Sequence, residues 1–120
     1  MERPRFEQLV RQALDDLPDE IRMRMDNVDL VVEDLPTRDQ LVGSGLDEWE
    51  CLLGLYEGIP LPDRYGYNLV LPDKITLFQR SIEGICSSDQ EVLTEIHDTV
   101  VHEVAHHFGI GDEELDRMGV

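Results

Sequence analysis

"TVVHEVAHHFGIGD", residues 99–112, decides how the chain folds, because it runs the end of an amphipathic helix into a turn crowded with metal-type donors. Advancing 100° per residue from His102 puts His106 at about 40° and Glu103 at about 100°, so both imidazoles share one side and the carboxylate flanks them. Val100 and Val104 point to the far side. Such a helix buries its apolar stripe and aims two nitrogen donors into a cleft, as HExxH does when it offers ligands to zinc and a base to water.

Two ligands hold zinc poorly, since a catalytic site normally supplies three and leaves a fourth position open. The third candidate is Asp112. Gly109 can take the left-handed conformation that ends a helix and turns the chain back, which completes HExxHxxGxxD with His102, His106 and Asp112 as ligands and Glu103 as base. Each part also has a plainer reading: Gly109 as a simple C-cap, and Asp112 as the N-cap of a last turn through "DEELDRM". Glu113, Glu114, Asp116 or a water would then stand in its place.

Working outward, Ser88 with Glu91 three residues on matches a capping box. Leu93, Ile96, Val100, Val104 and Phe108 continue as an apolar stripe down to Gly109, predicting one long helix from Ser87. Phe6, Leu9, Val10, Ala13, Leu14 and Leu17 predict a first helix, ended by Pro18, and "PDEIRMRM" a short second one. "NVDLVVEDL" alternates Val28, Leu30 and Val32 against Asp29, Val31 and Glu33, as a half-buried strand does. "CLLGLYEG" and "KITLFQR" are two further strand candidates. "IPLPDRYGYNLVLPD" between them reads as an irregular connection, with a short strand at "YNLVL".

At 120 residues the chain suits a single domain spanning 1–120. Its 27 acidic and 10 basic residues leave a net charge of −17. That field repels phosphate backbones and anionic bilayers, so nucleic acid and membrane surfaces are poor partners, whereas cations and basic peptides are attracted. The charged, amphipathic start is unlike a secretory leader and no apolar run nears a membrane span, so a cytoplasmic location is expected. Cys51 and Cys86 stand alone, without CxxC spacing, and read as reduced thiols.

"LLGLYEGIPL" (52–61), "LPDKITLFQR" (71–80) and "TVVHEVAHHFGIGDEELDRMG" (99–119) resemble a family of small bacterial zincin-like metallopeptidases related in motif to metzincins. The resemblance covers roughly residues 50–119. It implies a minimal α/β (α+β) zincin-like fold, a small mixed sheet packed on helices that include the HExxH helix. It implies Zn2+ as cofactor, held by His102, His106 and Asp112. The chain departs from metzincins in having Asp rather than His as third ligand, and in Met118 arriving only six residues later; ordinary packing suits Met118 better than a Met-turn.

The expected activity is zinc-dependent hydrolysis of a peptide or protein substrate, with Glu103 as general base. His107, Tyr56, Tyr65, Tyr67 and Arg80 are the donor types available to assist, and His107, turned about 100° from His106, reads as a supporting residue. A zinc-binding regulatory or interaction module with little turnover is the competing expectation, and a metal-free acidic scaffold a third. Glu103 favours the enzyme, because a purely structural site needs a fourth ligand and no base.

Overall fold

The computed structural model describes residues 1–45, 52–58 and 72–119. In chain order these form α1 (Arg3–Asp15), α2 (Asp19–Arg24), β1 (Val28–Glu33), α3 (Arg38–Gly43), β2 (Gly54–Glu57), β3 (Asp73–Phe78), α4 (Gln79–Gly84), α5 (Asp89–Phe108) and α6 (Asp112–Met118). The fold class is α+β. Its sheet is mixed and ordered β1-β3-β2, with β1 parallel and β2 antiparallel to β3. β2 is thus an edge strand among the described residues.

The long helix forms where its signals place it. Ser88 Oγ accepts the Glu91 N–H at 3.2 Å, and Asp89 and Glu91 put negative charge in the first turn, where the helix dipole favours it. Ile96, Val100 and Val104 are completely buried against Phe6 and Leu9 of α1, Ile75 and Leu77 of β3, and Ile82 of α4. Each such side chain contributes about 1.5–3 kcal/mol on leaving water, so tertiary packing rather than propensity holds the helix. The expected stripe fails at its last member: Phe108 is 39% exposed. A strict four-residue spacing drifts about 40° per step, and by Phe108 it has turned roughly 120° from Ile96, away from the core.

α5 ends in a Schellman turn. Gly109 adopts φ 68°, Ile110 N–H donates to Ala105 O at 2.8 Å, and Gly109 N–H to His106 O at 3.4 Å. Ile110 is then buried as the apolar plug that such turns carry. Gly111 caps α6 and Asp112 is its first residue, so the C-terminal carboxylates lie on a seven-residue helix rather than a single turn. Leu115 anchors that helix, and Met118 packs against the main core, as ordinary packing predicts.

Two short helices, α3 and α4, are additional to the elements expected from the sequence. Thr37 and Gln40 make a reciprocal capping box at the start of α3, a T-x-x-Q signal that was present to be found. α4 begins at Gln79, so the strand expected through Arg80 stops at Phe78. As the first residue of α4, Gln79 ties Arg3, Met1 O and Glu83 together through its side chain. The strand expected at 67–71, Cys51, Tyr65 and Tyr67 lie outside the described residues; Cys86 is a half-buried free thiol. Among the described residues no helix is long and apolar enough to cross a membrane.

Candidate active site

β2 reaches the motif helix because Gly54 has no side chain. A Cβ there would stand 2.6 Å from Thr99 Cγ2 and 3.3 Å from the Thr76 carbonyl oxygen, so only glycine allows the strand to lie so close to α5. From this point helix and strand keep pace. Thr99 to Glu103 is about 6 Å along a helix, and Gly54 to Tyr56 about 7 Å along a strand. Tyr56 N–H consequently meets Glu103 Oε1 at 3.0 Å.

The ladder explains why that N–H is available. Phe78 N–H donates to Leu53 O, and the antiparallel register pairs Gly54 with Leu77 and Tyr56 with Ile75. Hydrogen-bonded and non-bonded pairs alternate, so Tyr56 is a non-bonded pair whose N–H points away from β3 and towards α5. Burial pushes the Glu103 carboxyl above the usual carboxylate range, against the opposing pull of the Tyr56 N–H and of positive charge on His106 and His102. A carboxylate with raised basicity facing a cleft is what a general base needs.

That cleft, of about 450 Å³, is walled by Gly43 and Ser44 at the end of α3, by Leu52 and β2 residues Gly54 to Tyr56, and by Glu103, His106 and His107 of α5. Glu103 is half-buried, whereas His102, His106 and Asp112 are exposed. The structure thus brings Glu103 and His106 to one cleft wall, with His102 one turn back on the same helix. Neither His102 nor Asp112 lines the cleft. Among the described residues no three His, Cys, Asp or Glu side chains converge closely enough to hold a metal ion. By donor chemistry the histidine pair one helical turn apart is of the zinc-binding type, and it is one ligand short of the three that a catalytic zinc site normally supplies.

Of the donors expected to assist, Tyr56 and His107 are at the cleft, and Arg80 lies elsewhere, exposed on α4. The Tyr56 hydroxyl donates to Asp73 Oδ2 at 2.6 Å, and its ring stacks on His107 at 3.9 Å between centroids. Asp73 escaped the sequence reading, since nothing local marks a strand's first residue as a partner for a tyrosine 17 positions earlier.

Burial raises the Tyr56 phenol well above its ordinary value, and Asp73 adds to this as hydrogen-bond acceptor and as negative charge. A raised folded-state pKa stabilises the fold below the unfolded tyrosine value near 10, and that contribution is lost as pH climbs through the folded value. In an ultraviolet alkaline titration, the difference between the parent and Tyr56→Phe should therefore show a phenol still neutral when ordinary tyrosines have ionised. A difference signal centred near pH 10, the ordinary tyrosine value, refutes the burial and the Asp73 bond together.

An α+β chain with a histidine-pair helix packed on a small mixed sheet has the architecture of the zincin class. A family model described as zincin-like metallopeptidase matches residues 25–120, and the chain belongs to that family. No curated protein matches it. Among solved structures, a conserved hypothetical protein from Thermo thermophilus superposes with a TM-score of 0.60 at 24% identity, over 87% of this chain and 91% of the other. That likeness concerns the fold.

Proposed function

We propose that the chain is a zinc-dependent peptidase in which Glu103 is the general base. The observation that carries this reading is the 3.0 Å hydrogen bond from Tyr56 N–H to Glu103 Oε1, which fixes the glutamate on the wall of a cleft shared with His106. His102 and His106 would hold the ion, with Asp112 as third ligand and Glu113, Glu114, Asp116 or water as substitutes. Zinc so held would supply Lewis acidity and lower the pKa of water towards about 7. With Oε1 engaged by the backbone, Glu103 uses Oε2 to take the proton of the attacking water. It then delivers that proton to the departing amine nitrogen. The substrate is a peptide or protein, with basic sequences favoured by the net charge of −17.

The position of Asp112 at the start of α6, away from the cleft lining, favours a second reading: a zinc-binding regulatory or interaction module with little turnover. One experiment separates the two. Protein loaded with zinc, desalted and assayed against a diverse peptide library should carry one ion per chain and cleave peptides, and a chelator should abolish cleavage. His102→Ala and His106→Ala should each lose the ion. Stoichiometric zinc without cleavage selects the module, and zinc uptake unchanged in both variants overturns both readings.

A further inference from the structure

The proton transfer makes no use of the Tyr56 side chain, yet that side chain is held on three sides. Its hydroxyl is bonded to Asp73, its ring lies nearly parallel to His107 at 18°, and the Phe108 ring meets both edge-on at 6.2 and 4.9 Å. His107 Nε2 stands 3.9 Å from the Asp73 oxygen that accepts the hydroxyl. Gly58 leaves room for this arrangement, since a Cβ there would come within 3.3 Å of His107 Cε1 and 3.8 Å of Asp73 Oδ1.

These contacts join the two elements whose spacing from β2 sets the base. Asp73 begins β3 two places before Ile75, the cross-strand partner of Tyr56, so Asp73 and Tyr56 are diagonal neighbours on one sheet face. His107 lies one helical turn beyond Glu103 on α5. The Tyr56 ring is therefore fastened to β3 through its hydroxyl and to α5 through its face, while its own N–H holds the glutamate. Without such fastening β2 would meet α5 only at Gly54 and through the Glu103 bond itself, and play at Tyr56 would shift the carboxylate with respect to the reacting atoms.

We propose that Tyr56, Asp73 and His107 form a clamp that positions Glu103, with Asp73 and His107 acting through the Tyr56 side chain to keep its backbone N–H on the carboxylate. As a device for catalysis this rests on Glu103 being the base; as a physical linkage it does not. In the proposed proton transfer Glu103 alone handles the proton, and the three act through it. They are positioning residues.

Amide hydrogen exchange of the full chain tests the linkage without requiring turnover. In the parent, the Tyr56 amide should be protected although it faces away from the ladder. Glu103→Gln should retain that protection and Glu103→Ala lose it. Tyr56→Phe, which breaks the Asp73 tie, and His107→Ala, which removes the stacking face, should each speed Tyr56 exchange about tenfold, as expected for freeing a hydrogen bond to a charged acceptor. His107→Phe should restore protection. Leu55 and Glu57, whose amides face β3, are internal controls and should stay within about twofold of the parent.

An unchanged Tyr56 rate in Tyr56→Phe and His107→Ala overturns the clamp. So does joint acceleration of all three amides, which would mean that the side chains merely stabilise the strand. Where peptide cleavage is measurable, the same two variants should lower kcat and leave KM in place. A selective change at Tyr56 without any cleavage supports the linkage while counting against the peptidase reading.

Discussion

Replacing Glu103 with glutamine is expected to leave zinc stoichiometry unchanged and to lower peptide hydrolysis by about 10²–10⁴-fold, the usual range for loss of a general base. The amide has nearly the shape of the carboxylate, and its oxygen can still accept the Tyr56 N–H that lies 3.0 Å from Oε1. The packing of β2 on α5 is therefore kept. What disappears is the capacity to take up a proton. Burial has raised the basicity of this carboxyl, and an amide has none to raise. Because the substitution spares both imidazoles and the hydrogen bond, loss of activity with intact metal and an intact melting curve assigns the defect to proton transfer. Equal cleavage by the parent and Glu103→Gln removes Glu103 from the chemistry.

Gly54→Ala carries the largest expected structural effect. The new methyl would lie 2.6 Å from Thr99 Cγ2, well inside contact distance, and 3.3 Å from the Thr76 carbonyl oxygen. The backbone of β3 cannot yield cheaply, so either β2 lifts from α5 or Thr99 is displaced. Overpacking of this kind costs about 1–3 kcal/mol. Thr99→Ser deletes the obstructing methyl and keeps the hydroxyl, so the double variant should recover a large part of the loss. The two substitutions should couple by about 0.5–3 kcal/mol in a urea-denaturation cycle. If Gly54→Ala is as stable as the parent, or if the effects simply add, the close approach does not set the strand's position.

Local signals made much of the scaffold legible. Ser88 and Gly109 cap α5, which begins two residues after the expected start at Ser87, and Val28, Leu30 and Val32 mark β1, because caps and period-two patterning are written in neighbouring residues. The same locality places His102, Glu103 and His106 on one helix side. What escaped depends on distance along the chain. The bond between Tyr56 and Glu103 joins residues 47 positions apart and exists only because a glycine two places earlier lets a strand approach a threonine. Phe108 misled because a four-residue repeat looks continuous on paper while it precesses around a real helix. The place of Asp112 depended on whether the chain beyond Gly109 makes one turn or a helix, and seven mostly charged residues anchored by Leu115 give no strong periodic signal either way.

The corner made by Gly109 and Ile110 has a consequence for how an ion would be acquired. Its two main-chain hydrogen bonds and its buried isoleucine fix the exit direction of the chain with protein atoms alone. One turn earlier, the helix bearing the imidazoles is seated by valines and an isoleucine on its opposite side. Both nitrogen donors are thus mounted on a finished frame, unlike the ligands of small zinc modules that fold only around their metal. The entropic toll of ordering that pair falls on the folding of the apolar interior, so a cation would meet two donors already in place and would have to draw in only what completes its shell.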